Sequence, residues 1–159
     1  ALPISPPADA PPVLVAALGP QMLRLTGRLA DGTITWMTGP ETIRTLTSPT
    51  IREAAAEAGR PEPRVVVGLP VCVTDDIDAT RTRADSDYAI YGQLPSYRAM
   101  LDREGAATPA DVAIIGSAAE VQDRIRALEG CGTTTFAASS FGSRDELAAT
   151  REALIGLLP

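Results

Sequence analysis

Apolar runs and helix-spaced apolar positions alternate along most of the chain. Residues 13–15 are apolar and mostly β-branched without polar alternation, as in a strand that a parallel sheet buries on both faces. Pro20 suits the first turn of a helix, and the apolar residues after it follow helical spacing. The pair Asp31-Gly32 is a stop signal. The sequence therefore opens with a predicted strand followed by a predicted helix.

The same unit recurs three times further along the chain. We predict strands at residues 33–37, 64–73 and 133–138, each followed by a helical pattern. Thr38 is the predicted cap of a helix that begins near Pro40. Two other prolines modify this pattern. Pro49 predicts an interruption of the second helix, and Pro70 predicts an edge, a bulge or a local break in the third strand.

The stretch from Tyr88 to Ile115 is too long for an ordinary connection. We predict an insertion around residues 88–115, in which Pro95 and Pro109 separate short helices. Its tyrosines either form part of a substrate wall or anchor these helices to the sheet. Gly116-Ser117 predicts the cap of the next helix.

Four strand-then-helix units in alternation predict an α/β fold with a parallel sheet and helical crossovers. A doubly wound sheet and about half of a (β/α)8 TIM barrel both fit, since a whole barrel needs eight units and roughly 250 residues. In the barrel, the four strands lie parallel, each beside the next, with helices outside. Residues 1–12 are rich in proline and read as a connector to the domain at 13–159.

The amino-acid composition limits which partners, metals and catalytic groups this chain can use. Only 4% of residues are aromatic, so the core must be aliphatic, and a net charge of −6 disfavours nucleic acid and anionic membranes as partners. The chain has no histidine, which removes histidine acid-base chemistry and histidine metal ligands. Cys72 and Cys131 lack metal-ligand spacing and read as reduced thiols. No signal peptide or membrane-length apolar run is visible, so we expect a cytoplasmic protein. Because histidine is absent and the cysteines are not spaced as metal ligands, we also expect no bound metal.

Two strand-to-helix turns are candidate anion sites. Small residues before Pro20 leave backbone exposed, so an anion can approach the free N–H groups at the helix start. Residues 139–143 offer hydroxyls and N–H groups at the last helix and compete for the same role, whereas Asp75 and Asp76 would repel an anion. Trp36 lies near the C-terminal end of the second predicted strand and either stacks on a flat ring or fills the core.

Several motifs together resemble the luciferase-like monooxygenase family, and more narrowly its F420-dependent oxidoreductases. They are A-A-L-G-P-Q-M-L from Ala16, L-A-D-G-T-I from Leu29, G-S-A-A-E-V from Gly116 and F-A-A-S-S-F-G from Phe136. The resemblance covers nearly the whole chain and keeps the family's order of motifs. Each motif is weak alone, and their combination is moderately specific.

The resemblance implies the C-terminal half of a (β/α)8 barrel, units five to eight, with coenzyme F420 or alternatively FMN at the C-terminal ends of the strands. It places the cofactor's phosphate at the turn formed by Ala17, Leu18, Gly19, Pro20, Gln21 and Met22. The ring wall and any catalytic histidine belong to the first four units, so no catalytic residue is assigned here, and this chain alone would be inactive. Its concave face requires a partner, either the N-terminal half of the same barrel or a second copy of the chain.

Three functions remain open at this point. The first is hydride transfer between reduced F420 and an organic substrate. The second is an FMN-dependent monooxygenase on the same barrel. The third belongs to another class, a non-catalytic α/β module that binds a phosphorylated ligand or partner.

Overall fold

A computed structural model of the chain describes residues 11–158. Most of the predicted connector, residues 1–10, lies outside this range. Five parallel strands form one sheet. They are β1 (Leu14–Val15), β2 (Gly32–Trp36), β3 (Arg64–Val73), β4 (Ile114–Gly116) and β5 (Thr135–Ser140). The strands predicted at 13–15, 33–37, 64–73 and 133–138 correspond to β1, β2, β3 and β5, and the last begins and ends two residues later than predicted.

Helices follow the strands in alternation. They are α1 (Pro20–Leu29), α2 (Pro40–Thr42), α3 (Ser48–Glu57), α4 (Ile77–Asp87), α5 (Ala89–Gln93), α6 (Pro95–Glu104), α7 (Ala118–Ala127) and α8 (Arg144–Ile155). Two 3-10 turns, Pro109–Asp111 and Glu129–Cys131, complete the pattern. None of the helices between residues 11 and 158 combines the length and apolar character that crossing a membrane requires.

The predicted interruption at Pro49 is wrong. A π-helical segment, Ile43–Thr47, joins α2 to α3, so the helix continues through this proline. A π turn widens the helix locally, and the chain thereby accommodates a residue that has no N–H to donate. The predicted cap at Thr38 is also wrong, because the N-cap is Gly39. The hydroxyl of Thr38 instead donates to the carbonyl of Trp36 at 3.1 Å.

The strand order agrees with the barrel prediction, because β1, β2, β3 and β5 lie side by side and parallel. The sequence did not predict β4. This strand pairs with Val71–Val73 of β3, and Val71 also pairs with Ser140 of β5. Strands β4 and β5 therefore lie on opposite edges of β3. Strand β4 lies on the same edge as β2, whose pairing with β3 ends at Gly68.

Pro70 is compatible with this central strand because of where its nitrogen points. The carbonyl of Gly68 faces β2 and accepts from Met37, whereas the carbonyl of Val71 faces β5 and accepts from Phe141. Since alternate residues of a strand face alternate edges, Pro70 faces the edge shared by β2 and β4. Its position lies in the gap between these two partners, so the missing N–H breaks no ladder. This is the local break that Pro70 predicted.

One face of the sheet carries the aliphatic core. Fully buried side chains of β3 pack against the surrounding helices, among them Val65, Val67, Leu69 and Val71 with Ile51 of α3 and Val121 of α7. The other face is partly open, and Ile34 of β2 is 40% exposed there. A doubly wound sheet would cover both faces with helices. The chain is therefore an α/β half barrel with its helices outside.

The Asp31-Gly32 pair fixes the first strand in the sheet. The carboxylate of Asp31 accepts a hydrogen bond from the N–H of Val13 at 2.7 Å and pairs with Arg60 at 3.1 Å. At Gly32, a Cβ would lie 2.2 Å from the carbonyl oxygen of Arg64, so only glycine permits this approach of β2 to β3. The Asp31-Gly32 pair thus follows the end of α1 and also marks where β2 begins to pair with β1 and β3.

Candidate functional site

A cavity of about 550 Å³ lies on the open face of the sheet, toward the C-terminal ends of the strands. Its walls include Ala17, Leu18, Ile34, Trp36, Tyr97 and Ser139. None of the twelve described residues that line it carries a charge. Sites of TIM-barrel enzymes form at this end of the strands, and the volume is that of a small-molecule site.

The turn before α1 borders this cavity. Ala17 and Leu18 are among its walls, whereas Gly19, Pro20, Gln21 and Met22 begin the helix just beyond them. Within residues 11–158, the N–H groups of Gln21 and Met22 have no acceptor. A Cβ at Gly19 would meet no atom within 4 Å, so the approach to these donors is open. The turn therefore presents two free backbone N–H donors at a helix N-terminus, the kind of group that binds anions.

Trp36 connects the cavity to the core. Gly68 lies opposite it in the β2–β3 register, and a Cβ there would come within 3.2 Å of the indole Cε3. The absence of a side chain at Gly68 therefore gives the indole its place against β3. The indole N–H is buried and has no acceptor among the described residues. Trp36 packs on the core, as one alternative predicted, and it also lines the cavity, so stacking on a flat ring stays a prediction.

The residue after Trp36 has a strained backbone. Met37 has a φ of 52°, in the left-handed region that non-glycine residues rarely adopt. Its side chain is fully buried, and its N–H donates to the carbonyl of Gly68 at 3.2 Å. Packing therefore holds this conformation, which costs about 1 kcal/mol or more. Such strain at the end of a barrel strand is common at functional sites.

Five aromatic side chains form one aromatic cluster at this end of the sheet: Trp36, Tyr88, Tyr91, Tyr97 and Phe141. The Trp36 ring centroid lies 6.1 Å from that of Tyr88 and 6.0 Å from that of Tyr91, both edge to face. Tyr91 contacts Tyr97 at 4.9 Å. Tyr97 lines the cavity, whereas Tyr88 and Tyr91 support Trp36 from the long connection. The tyrosines thus serve as anchors and, at Tyr97, as a wall.

Two phenols of this cluster, Tyr88 and Tyr97, stay neutral. Burial raises the pKa of Tyr88, and the nearby Asp87 adds to the effect. Burial also raises the pKa of Tyr97, with a further contribution from Tyr91. Both hydroxyls therefore remain protonated at neutral pH and bring no charge to the cavity.

The competing anion site at residues 139–143 contains a carboxylate of the chain itself. Ser143 caps α8, and Glu146 accepts from its N–H at 2.6 Å. The same carboxylate accepts from the hydroxyls of Thr74 at 2.9 Å and Thr80 at 3.0 Å and pairs with Arg83 at 2.8 Å. These bonds hold the pKa of Glu146 well below its usual range, and the bond from the Ser143 N–H contributes most to this shift. At the start of α8, the carboxylate of Glu146 thus takes the place that an external anion would occupy.

The two cysteines are free thiols and differ in burial. Cys72 is fully buried, and burial raises its pKa to about 11. Cys131 is half-buried, and both cysteines are free. Between residues 11 and 158, no three potential metal ligands come together.

Solved structures share this architecture. An F420-dependent secondary alcohol dehydrogenase in complex with an F420-acetone adduct superposes with a TM-score of 0.70 at 19% identity, covering 96% of this chain and 51% of that one. The coenzyme F420-dependent tetrahydromethanopterin reductase from Methanopyrus kandleri gives 0.70 at 23% identity, covering 91% and 49%. The oxygenating constituent of 3,6-diketocamphane monooxygenase from Pseudomonas putida, in complex with FMN, gives 0.66 at 20% identity, covering 94% and 50%.

The chain spans about half the length of these structures.

No curated protein matches the chain. The family model described as luciferase-like monooxygenase matches residues 1–135, which is most of the sequence. The fold agrees with that match, since the structural relatives are TIM-barrel enzymes of this type. The chain therefore belongs to the luciferase-like monooxygenase family.

Proposed function

We propose that this chain supplies units five to eight of an F420-dependent oxidoreductase, which transfers hydride between reduced F420 and an organic substrate. In this proposal the half barrel occupies residues 13–159, with an insertion around 88–115. The observation that carries it is an uncharged cavity that adjoins a helix N-terminus with free N–H groups. An uncharged wall suits a flat organic ring, and free N–H groups suit its phosphate arm.

The chain's residues have distinct roles in the proposal. Gln21 and Met22 donate backbone N–H groups to the cofactor's phosphate, and Gly19 leaves room for its approach. Ala17 and Leu18 border the ring, and Trp36 forms the wall that Gly68 accommodates. Reduced F420, when bound, supplies the hydride, so these residues bind, orient and exclude water.

The neighbouring structures support a deazaflavin or a flavin as the cofactor. Two of those described above are F420-dependent, and one contains FMN. FMN-dependent monooxygenation is therefore the second candidate function, and the same phosphate turn would serve it. The third possibility, a non-catalytic module that binds a phosphorylated ligand, retains the turn without turnover.

Equilibrium titration tests the proposal. F420 and FMN are each added to the protein that contains this chain, and binding is followed by the absorption and fluorescence of each cofactor. We expect tighter binding of F420, together with oxidation of reduced F420 when a ketone is present. Preference for FMN with oxygen-dependent turnover would favour the monooxygenase. Binding of phosphorylated compounds without turnover across both reductants would favour the non-catalytic module.

A further inference from the structure

The aromatic residues of this chain are concentrated at one place. The chain has only six, and five of them belong to the aromatic cluster. The sixth, Phe136, is half-buried and packs against the aliphatic core. Four of the five cluster members also pack against that core, and two of them, Trp36 and Tyr97, line the cavity as well. These two rings are therefore the part of the cluster that a ligand can contact.

The cluster presents two rings to the cavity and holds them in place. Tyr97 lines the cavity from the first turn of α6. Its ring packs edge to face on Tyr91 at 4.9 Å, and Tyr91 packs on Trp36, which also lines the cavity. A continuous chain of ring contacts thus fixes two aromatic walls of one site. Rings fixed in this way lose little entropy when a flat ligand stacks on them.

The charge of the cavity limits the ligand further. Its described walls carry no charged side chain, and burial raises the pKa of Tyr97, so this phenol remains neutral. A charged group placed there would lose its hydration without gaining a partner. A neutral ligand has no such cost.

We infer that Tyr97 selects a neutral substrate with a planar, aromatic body by stacking on it, beside the cofactor ring that Ala17, Leu18 and Trp36 border in the proposed function. This inference rests on the proposed function, because it concerns the organic substrate of the same site. It assigns a specificity role to the long connection, whose α6 carries Tyr97.

Three ketones, of which the two neutral ones match in size, separate the possible preferences. Acetophenone is neutral and planar, cyclohexyl methyl ketone is neutral but not planar, and 4-acetylbenzoate is planar but charged. Isothermal titration calorimetry with the protein measures the affinity of each. We expect acetophenone to bind about fivefold more tightly than cyclohexyl methyl ketone, as an aromatic pair predicts. We expect 4-acetylbenzoate to bind more than about tenfold more weakly than acetophenone.

Three point variants test which side chain produces the preference for acetophenone over cyclohexyl methyl ketone. Tyr97→Leu removes the ring but keeps an apolar side chain, and we expect it to abolish the preference for acetophenone. Tyr97→Phe keeps the ring and is expected to keep the preference. Phe136→Leu is the matched control, because Phe136 is the one aromatic residue outside the cluster. The preference should persist in this control.

The outcomes separate this inference from the proposed function. Equal binding of the two neutral ketones by the wild type, or an unchanged preference in Tyr97→Leu, would overturn the inference. If either occurs while F420 still binds, only the inference fails. If neither F420 nor FMN binds but the ketone preference persists, the proposed function fails and the aromatic site stands.

Discussion

Gly19 offers a test of the phosphate turn that leaves the fold intact. Its backbone has an ordinary φ of −82°, and a Cβ there would meet no atom within 4 Å. Gly19→Val should therefore change the free energy of unfolding by no more than about 1 kcal/mol, the cost of a poorer helix cap. If the proposed cofactor site is correct, the valine side chain would occupy the phosphate's approach, so we expect cofactor affinity to fall about tenfold. Cofactor titration and chemical denaturation measure the two effects.

Gly130→Val is the matched control for this substitution. Gly130 also has open space around its Cβ, and it lies in the 3-10 turn after α7, away from the cavity. It should leave cofactor affinity unchanged. Unchanged affinity in Gly19→Val, together with reduced affinity in Ser140→Ala, would place the phosphate after β5 instead.

Gly68 tests the placement of Trp36. An added Cβ would lie 2.8 Å from the carbonyl oxygen of Thr35 and 3.2 Å from the indole. Gly68→Ala should destabilise the fold by about 1–3 kcal/mol through overpacking. It should also shift the fluorescence of Trp36, the single tryptophan of the chain. Gly130→Ala serves as the control, and unchanged emission in Gly68→Ala would contradict the close contact described here.

Single residues with a direct backbone effect were predictable from the sequence. Pro20 begins α1, and Ser117 caps α7 through a capping box with Glu120. These roles depend on local chemistry, which a sequence displays. The close approaches at Gly32 and Gly68 were not predictable, since they depend on residues of other strands. The role of Trp36 stayed open for the same reason.

At the level of elements, Glu146 links the loop after β3 to the start of α8. It accepts from the hydroxyls of Thr74 and Thr80 and from the N–H of Ser143, and it pairs with Arg83. Glu146→Gln should lower the free energy of unfolding by about 1.5–3 kcal/mol at neutral pH, the range for hydrogen bonds to a charged group. Thermal or chemical denaturation measures this loss.

The effect of this substitution should depend on pH. The pKa of Glu146 is lowered in the folded state, so its contribution is complete above the unfolded pKa and is lost as pH falls through the folded pKa. The difference between wild type and Glu146→Gln should therefore shrink as pH falls below about 4.5, the ordinary value for this side chain. Glu120→Gln is the control, because Glu120 caps α7 in the same way but bonds only to Ser117. A loss as large in the control would refute a linking role.

The long, periodic elements were predictable, whereas short or irregular ones were not. β3 extends over the whole predicted range, and Pro95 begins a helix within the long connection as expected. β4 has only three residues, too few for a periodic signal, and forms because β3 extends beyond β2. The π segment before Pro49 was also missed, since a proline in a sequence signals a break and does not show that a π turn can carry the helix through it.

At the level of the whole molecule, the sheet has surfaces that need covering. Within the described residues, β1 pairs only with β2, and β5 pairs only with β3, so each leaves one edge free. Ile34 is 40% exposed on the open face. Free edges and apolar faces promote association. We propose that the other half of the same barrel covers them, and that a second copy of this chain is the alternative.

The chain expressed by itself tests this proposal. We expect it to self-associate or to bind the hydrophobic dye ANS through its open face, and analytical ultracentrifugation measures the first effect. Addition of the N-terminal half of a barrel of this family should suppress both effects. A cooperatively folded monomer of 16.6 kDa that binds no dye would contradict it.

The fold class was predictable in outline because four strand-helix units impose a parallel sheet. Periodicity alone did not separate a barrel from a doubly wound sheet, since both bury one side of each helix. The family resemblance of the motifs decided the matter, and the one-sided packing of Val67 and Leu69 agrees with it. The cavity could not be predicted, because it brings together residues from β2, β5, α6 and the turn after β1.

The crystal structure of the protein with bound F420 is the most direct measurement of all. It would show where the phosphate and the deazaflavin ring lie relative to α1 and Trp36. We predict the phosphate within hydrogen-bond distance of the N–H groups of Gln21 and Met22, with the ring in the uncharged cavity. A phosphate beside Ser143 and Arg83, or a ring outside the cavity, would contradict the proposed cofactor site.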